Sequence, residues 1–188
     1  MRVLLIDAFG AADPDRAVVD ATVAFLGGQG HQVTRLVAAE TGGGRFMSAA
    51  ERNAYHEDAP LLDTATQASA AAVAAADALL FCYPTTTFTV PAALKAWLER
   101  VLVPGVAFTF DASGRVTPGM TNIRRLGVVT TVVQSRLTML RARDGGRRTI
   151  LRTLRLNCHR RCGRTFLRIP AGGGSAADPA VARTFRNW

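Results

Sequence analysis

ADALLFCYPTTTFTVPAALKAWLERVLVPGVAFTF, residues 76–110, contains in succession a predicted buried strand, a loop and a helix. Ala78 to Tyr83 is a continuous apolar run, which is typical of a parallel strand that is covered on both faces. Pro84 ends this strand, and Pro91 suits the first turn of the following helix. The loop between the two prolines is therefore expected at the carboxyl end of the strand, where open α/β sheets bind their ligands.

Several segments in and around this stretch resemble the flavodoxin-like NAD(P)H:quinone oxidoreductases. The segments that carry the resemblance are Tyr83-Pro84, Phe88 to Ala92, Leu94 to Trp97, Glu99 to Val101, Pro104 to Phe108, Met47 to His56, and Val128 to Thr131. The segment from Met47 is similar to the one that those proteins carry before their third strand, and the segment from Val128 is similar to their fourth strand. The similarity covers most of the chain and weakens after about Arg143.

The resemblance implies an α/β fold of the flavodoxin-like class, and the order of the predicted elements agrees with it. The predicted strands are residues 3–6, 31–37, 78–83, 126–133 and 165–169. Helical patterns separate them, which favours a doubly wound five-stranded parallel sheet with right-handed crossovers and helices on both faces. We expect the strand order 2-1-3-4-5 within a single domain over residues 1–188.

The helices are predicted from capping residues and from apolar spacing. They are a helix from Asp13-Pro14 to Gly27-Gly28, a short helix that starts at the capping box of Ser48 and Glu51, an alanine-rich helix over residues 60–76, the Trp97 helix, a basic helix over 136–157 that is interrupted near Gly145-Gly146, and a last helix from Asp178. Inward positions of the alanine-rich helix are expected at Leu61, Leu62, Ala65, Ala68, Ala72 and Val73. A hairpin is expected from residues 106–110 and 115–116.

Size and composition favour one well-buried domain, since the chain has 188 residues and 48% of them are hydrophobic. The first apolar run, Val3 to Ile6, is too short for a signal peptide or a membrane span, so we expect a cytoplasmic protein without a membrane segment. Three cysteines, Cys82, Cys158 and Cys162, are an odd set, which argues against a disulfide framework.

Charge is the strongest compositional bias of the chain. Lys and Arg number 23 against 14 Asp and Glu, for a formal net charge of +9, and Lys95 is the only lysine. Between residues 124 and 168 many arginines face a single acidic residue, Asp144. Such a surface could attract phosphate-bearing cofactors or nucleic acid, or could be a solvated helix face. Nucleic acid is the less favoured partner, because no aromatic residues are interleaved as a stacking platform.

The resemblance also implies a function. It implies a flavin, FMN or FAD, that receives hydride from NAD(P)H and passes it to a quinone or a related aromatic small molecule, in a homodimer to which Phe185, Trp188 and the Val106 to Phe110 hairpin contribute. The residues implied to bind the cofactor are Pro84, Thr85, Thr86, Thr87, Phe88, Thr130, Thr131, Val132 and Gln134. The substrate is expected at Phe9, Phe88 and Arg136, with Tyr55 and His56 as candidate catalytic groups.

The three loops that would hold the flavin differ from the family pattern, and the differences make flavin binding doubtful. The loop after the first strand, residues 8–16, has no hydroxyl and places Asp13 and Asp15 where a phosphate is expected. Threonines replace an aromatic residue at 85–87, and Val132-Val133-Gln134 replaces a variable residue and two glycines that leave room for the ring. An alternative is therefore a cofactor-free descendant whose vacated pocket binds or transforms an aromatic or polyketide-like molecule.

Other motifs offer little chemistry. Cys158-His159-Arg160-Arg161-Cys162 provides at most three metal ligands among positive neighbours, so no metal site is predicted. The sequence has no Gly-rich dinucleotide fingerprint, phosphate loop or nucleophile elbow. The hypotheses that remain are the flavin reductase, the cofactor-free descendant with Tyr55, His56, residues 85–87, Gln134 and Arg136 as polar groups, and a basic surface that binds nucleic acid or an acidic partner.

Overall fold

In the computed structural model, which describes residues 1–41, 44–57, 60, 63–173 and 177–188, parallel strands form a central five-stranded sheet. The strands of the described chain are β1 Arg2–Asp7, β2 Gln32–Val37, β3 Ala78–Pro84, β4 Phe108–Phe110, β5 Val116–Pro118, β6 Arg125–Val132 and β7 Gly163–Pro170. The sheet has the order β2-β1-β3-β6-β7, and β4 pairs with β5 in a separate antiparallel hairpin. The predicted order 2-1-3-4-5 is confirmed, since β6 and β7 are the fourth and fifth strands of the sheet.

The helices connect the strands on both faces of the sheet. They are α1 Ala17–Gly28, α2 Ala49–Asn53, α3 Thr64–Ala75, α4 Ala92–Val101, α5 Arg136–Arg141, α6 Gly145–Arg148 and α7 Ala177–Phe185. Short 3-10 turns lie at Pro14–Arg16, Ala54–His56 and Leu154–Asn157, and a π-helical turn lies at Thr149–Thr153. Among the described residues, no helix combines the length and the apolar character that crossing a bilayer requires.

Local capping rules place several helix starts. The Ser48 side chain accepts a hydrogen bond from the Glu51 N–H, and the Glu51 carboxylate accepts one from the Ser48 N–H, so the predicted capping box is confirmed. Asp13 accepts from the Asp15 N–H before the first 3-10 turn. These contacts satisfy N–H groups that a helix start leaves without intrahelical partners.

Two apolar layers cover the sheet. On one face Leu79, Phe81 and Trp97 are fully buried, with α3, α4 and the segment around Ile150 above them. On the other face Val3, Leu80 and neighbouring side chains pack against α1 and α7. The central strand β3 is therefore apolar along its length, as expected for a strand that is covered on both faces.

Phe185 and Trp188, for which a dimer contact is predicted, lie in the second layer. Phe185 is buried, and its ring packs edge-on against Trp188 at 5.1 Å between centroids. The Trp188 Nε1–H donates to the Thr165 hydroxyl at 2.8 Å. These side chains fix the last helix to the edge of the sheet, because the intramolecular contacts use most of their apolar surface.

The alanine-rich helix differs from its prediction in where it begins and in the face that it buries. It begins at Thr64, because the Asp63 carboxylate accepts from the Thr66 N–H and caps it. Thr66, Ser69 and Val73 are its buried positions, while Ala65 and Ala68 are exposed. The predicted positions Leu61 and Leu62 lie outside the described residues. Runs of alanine give little periodic contrast, so a one-residue rotation of the face was not resolved from the pattern.

Candidate functional site

The carboxyl ends of β1, β3 and β6 lie side by side and bring three loops to one edge of the sheet. In the strand register Asp7 pairs with Cys82, and Pro84 pairs with Thr131. Residues 8–16, 85–91 and 133–135 follow these strand ends. The chain therefore builds its candidate site where open α/β sheets bind ligands.

The first loop is anchored by a buried carboxylate, Asp7, that forms ion pairs with two arginines. Asp7 has no solvent exposure, and its carboxylate accepts from the Phe9 N–H at 2.9 Å and from Arg35 at 2.6 Å. Arg16 approaches the same carboxylate at 3.4 Å. A buried carboxylate is costly unless it is paired, so these two arginines are committed to Asp7.

Two further carboxylates take up backbone donors at this loop. Asp13 accepts from the Asp15 N–H at 2.9 Å, and Asp15, which is 8% exposed, accepts from the Gly172 N–H at 2.8 Å. Pro14 between them has no N–H to offer. These three residues thus occupy the place where a flavin phosphate would need free N–H groups and hydroxyls.

The first loop does not fit the phosphate of FMN. Asp13 and Asp15 would repel it by about 4 kcal/mol for each pair of charges at ~4 Å and an intermediate dielectric. Asp7, which ends the strand, was not singled out from the sequence, because its partner Arg35 lies 28 residues away on β2. The expectation from sequence that this loop lacks a flavin-phosphate site stays a prediction.

The second loop folds into a tight turn whose central residues are strained. The Thr86 and Thr89 backbones exchange hydrogen bonds of 3.0 and 2.9 Å. Between them Thr87 has φ of 49° and Phe88 has φ of 60°, a left-handed conformation that costs energy for residues other than glycine. Thr86 and Thr87 are exposed, while Phe88 is half-buried. The turn therefore presents hydroxyls beside an aromatic ring at the sheet edge.

The turn is held in place by the segment before α6. The Gly145 N–H donates to the Phe88 carbonyl at 2.8 Å. Arg143 and Asp144, directly before it, also have positive φ of 61° and 31°. In the described part of the chain, the non-glycine residues with positive φ all belong to these two touching segments. Backbone strain of this kind concentrates at functional sites, where the surrounding structure holds it.

Tyr83 lies behind this contact. Its hydroxyl is buried and has no hydrogen-bond partner among the described residues. Burial raises the pKa of Tyr83, and the nearby Asp144 charge raises it further, so the phenol stays protonated. A Cβ at Gly146 would lie 2.7 Å from the Tyr83 oxygen, so glycine is needed there for the close approach.

The third loop is joined to the second by hydroxyl and backbone contacts. Thr85 and Thr130 share a hydrogen bond of 2.8 Å between their hydroxyls, and the Thr85 N–H donates to the Thr131 carbonyl at 2.8 Å. Thr130 and Thr131 are buried, as is Val132. These residues therefore position the edge, while the adjacent Val133, which is 83% exposed, presents surface to a ligand together with half-buried Gln134.

Tyr55 and His56 lie in a different neighbourhood. Their rings meet edge-on at 5.2 Å, and Tyr55 also faces Phe108 of the hairpin at 6.5 Å. Burial and then the charge of Glu99 raise the pKa of Tyr55, while Lys95 lowers it. Glu99 lies about 10 Å along α4 from its first residue, at 1.5 Å per residue. The described contacts thus place the pair beside α4 and the hairpin, and not at the threonine turn.

The remaining predicted residues differ in accessibility. Phe9 is only 4% exposed and packs in the layer under α1, so its side chain offers little surface to a substrate. Pro84 is half-buried at the end of β3. Arg136 is exposed at the start of α5. Cys158 and Cys162 are buried free thiols, and the described residues contain no group of three or more ligands suited to a metal.

Comparison with known proteins places the chain in a family. A profile described as the flavodoxin-like fold matches residues 1–186. FMN-dependent NADH:quinone oxidoreductase 3 of Pseudomonas fluorescens is 32% identical over 124 residues, which are 66% of this chain and 56% of that protein. NAD(P)H dehydrogenase (quinone) 1 of Rattus norvegicus is 36% identical over 89 residues, which are 47% of this chain and 32% of that protein. The match thus spans about a third to just over half of these curated relatives.

Solved structures with the same fold cover almost the entire chain. NAD(P)H:quinone oxidoreductase from Methanothermobacter marburgensis has a TM-score of 0.77 at 18% identity and covers 99% of this chain and 96% of its own. An FMN-dependent NADH-azoreductase of Bacillus anthracis, solved in complex with FMN, has a TM-score of 0.69 at 10% identity and covers 99% of this chain and 97% of its own. At such identities the likeness establishes the fold.

Proposed function

We propose, from the premise that this chain belongs to the flavodoxin-like fold family, that it is a redox enzyme of the quinone reductase kind. Its substrate is a quinone or a related aromatic small molecule, and its reductant is NADH or NADPH. The curated relatives named as quinone oxidoreductases support the reaction class. The observation that carries the proposal is the strained threonine turn at the carboxyl edge of the sheet, where Thr85 is hydrogen-bonded to the end of β6, shortly before Val133 and Gln134.

Each part of this edge has a proposed role. The exposed Thr86 and Thr87 hydroxyls and the Gln134 amide hydrogen-bond the oxygens of a planar substrate, and Phe88 and Val133 contact its ring. Thr85, Thr130 and Thr131 hold the edge in shape through their mutual hydrogen bonds. Other residues that we retain as candidates are Pro84 and Val132 beside the ring, Arg136 for an anionic substituent, and Tyr55 with His56 for proton transfer.

The proposed cofactor is a flavin that is bound through its ring. The Pseudomonas fluorescens relative is named as FMN-dependent, and the threonine turn with Gln134 offers polar contacts to the edge of a flavin ring. The first loop does not fit a flavin phosphate, since Asp7 and Asp13 already bind two of its N–H groups, and Asp15, which accepts from the Gly172 N–H, adds negative charge. If the chain takes FMN or FAD, it therefore holds the ring and not the phosphate.

The same observation favours a second candidate, a cofactor-free protein that binds an aromatic or polyketide-like molecule directly. In that case the threonine turn, Val133 and Gln134 contact the ligand in place of the flavin. The two candidates share the edge and differ only in whether a flavin is required. A single assay with and without flavin separates them.

The test follows the oxidation of NADH or NADPH in the presence of menadione, with FMN, FAD or no flavin added to the purified protein. The reductase proposal predicts turnover that requires added or copurified flavin. Thr86→Val should lower kcat/KM by about tenfold through one lost hydrogen bond of about 1.5 kcal/mol. Thr121→Val, an exposed threonine before the amino end of β6, is the matched control and should change nothing.

The second candidate is supported if the purified protein contains no flavin, shows no turnover with FMN or FAD, and binds menadione with an affinity that Thr86→Val lowers. Protein that neither oxidises NAD(P)H nor binds an aromatic molecule would contradict both.

We also propose a homodimer, with the exposed Phe110 and Val116 of the hairpin at its contact. Light scattering after gel filtration checks this, and Val116→Lys should shift the molecule toward monomer.

A further inference from the structure

A concave surface adjoins the carboxyl-edge site on the side of Arg136. It is a groove of about 880 Å³ between the edge strand β7 and the segment that runs from α5 to the π-helical turn. One wall carries Arg164 and Arg168 from β7, and the other carries Arg143, Arg147 and Arg152. We call this surface the arginine groove.

The positive charge of the arginine groove is not neutralised within the protein. Arg136 and Arg148 also line it, and the only acidic residue in its lining is Asp144. The Asp144 carboxylate accepts from the Arg147 N–H and so caps α6. Within the described residues, every ion pair involves arginines and a lysine elsewhere in the chain, and none joins a groove arginine to a carboxylate.

The lining of the groove contains a stacked pair of a guanidinium and an aromatic ring. The Arg147 guanidinium lies over the Phe166 ring, 4.6 Å from its centroid. A guanidinium stacked in this way keeps its N–H edge free for a phosphate while its rotamers are restricted, so it loses less entropy on binding. The half-buried Phe166 and the buried Leu151 add apolar surface to the same lining. The groove is thus suited to a ligand with both anionic and planar parts.

Protection of an exposed sheet edge accounts for only part of this arrangement. Charged residues on an edge strand prevent pairing with another chain, which explains Arg164 and Arg168. Edge protection does not explain why arginines of the opposite wall line the same groove. The left-handed backbone at Arg143 and Asp144 bends that wall, and the π-helical turn follows α6 within it. Such turns occur frequently at functional sites.

We propose that the arginine groove binds a nucleoside polyphosphate, with the phosphates on the arginines and the base against the apolar lining. A volume of this size lies within the range of roughly 300–1,000 Å³ that is typical of small-molecule sites. A second copy of the chain that placed its own groove against this one would bring two positively charged surfaces together, which is unfavourable. The groove shares Arg136 with the proposed quinone site, but Arg148 and Arg152 belong to the groove alone, so variants at these two positions let either proposal fail alone.

The test measures binding by isothermal titration calorimetry at fixed, low ionic strength. The probes are ATP, ADP, AMP, adenosine and inorganic tripolyphosphate. We expect affinity to fall from ATP to AMP by tenfold or more and adenosine not to bind, while tripolyphosphate binds more weakly than ATP because it lacks a base. Raising the salt concentration should weaken ATP binding, since the contacts are between charges.

Matched charge reversals locate the site. The double variant Arg148→Glu with Arg152→Glu should weaken ATP binding at least tenfold. The control, Arg183→Glu with Arg186→Glu, makes the same charge change at exposed positions of the C-terminal segment and should change affinity less than threefold. Arg147→Lys keeps the charge without the planar stacking and should weaken binding severalfold. Circular dichroism and thermal melts establish that each variant is folded.

Three outcomes would overturn the proposal. The first is no detectable heat with ATP or tripolyphosphate. The second is an equal loss of affinity in the groove variant and in the C-terminal control, which would indicate a nonspecific effect of net charge. The third is binding of a single-stranded oligonucleotide far tighter than ATP with affinity that grows with strand length, which would assign the groove to nucleic acid.

Discussion

The loop after β1 and the arginine groove are both rich in charged residues, but they differ in how these residues are bonded within the protein. In the loop, Asp7, Asp13 and Asp15 all accept hydrogen bonds from the protein itself. In the groove, arginines on two facing walls have no carboxylate partner among the described residues. Charges paired internally hold structure, whereas charges left unpaired remain available to a ligand. The chain is therefore expected to recognise phosphate at the groove and not at the loop where the fold usually binds it.

The largest expected effect concerns an arginine of the paired kind. The Arg100 side chain is 2% exposed and donates to Glu51 at 2.7 Å and to Asp63 at 2.6 Å. Arg100→Met should lower the free energy of unfolding by about 3 kcal/mol, because Glu51 and Asp63 lose their closer, buried partner and keep only the exposed Arg45 as an ion-pair partner among the described residues. Urea denaturation measures the change.

The matched substitution in the groove, Arg148→Met, should alter the free energy of unfolding by no more than about 0.5 kcal/mol, because Arg148 is exposed and has no ion pair to lose. If both substitutions cost the same, the distinction between structural and available arginines fails. The comparison is sharp because the two variants make the same chemical change.

A smaller effect is expected where the wall of the groove meets the threonine turn. Gly146→Ala places a Cβ 2.7 Å from the Tyr83 oxygen and 3.3 Å from the Thr89 carbonyl carbon. This overpacking should destabilise the protein by about 1–3 kcal/mol. Gly28→Ala is the control, since a Cβ there meets nothing within 4 Å. Thermal melts of the two variants compare them, and an unchanged melting temperature for Gly146→Ala would show that the wall is not fixed against β3.

The smallest effect on stability concerns pH. Burial raises the pKa of Glu51, but hydrogen bonds from the Ser48 backbone and from Arg100 outweigh it and lower the pKa to about 2. A hydrogen bond from Arg100 likewise lowers the pKa of Asp63. Because the folded-state pKa is depressed, the stabilisation is present above the ordinary value of 4.5 and is lost as the pH falls toward 2.

Urea midpoints recorded from neutral pH downward measure this dependence. The wild type should lose stability below about pH 4.5, where the unfolded carboxylates begin to bind protons. Arg100→Met should show a shallower loss over the same interval, because its carboxylates titrate closer to their ordinary range. If the urea midpoints of the two proteins fall in parallel with pH, the ion pairs of Arg100 do not determine the loss of stability in acid.

The features that sequence predicts well are local. The capping box of Ser48 and Glu51 and the strand end at Pro84 depend on residues within a few positions of each other, so the pattern contains the whole cause. The strand order was expected from the resemblance and from the alternation of strands and helices. The structure confirmed it without change.

The features that sequence did not predict depend on distant partners. From the sequence, Arg100 is expected at the surface, because its partners Glu51 and Asp63 are 49 and 37 residues away in the chain. The left-handed pair Thr87-Phe88 has no glycine to signal a turn, because the contact with Gly145 holds it from outside. The predicted interruption of the basic helix near Gly145-Gly146 is confirmed, but the left-handed backbone at Arg143 and Asp144, which bends the wall of the groove, was not predicted.

The most direct test of the account is the ratio of the affinities for riboflavin and FMN, measured by quenching of flavin fluorescence. These ligands differ only in the phosphate, and the account predicts that FMN binds no tighter than riboflavin. Asp13→Ser, which keeps a side chain able to cap the helix and removes one charge, should shift the ratio toward FMN. FMN binding at least tenfold tighter than riboflavin to the wild type would contradict the claim that the first loop has no place for the phosphate.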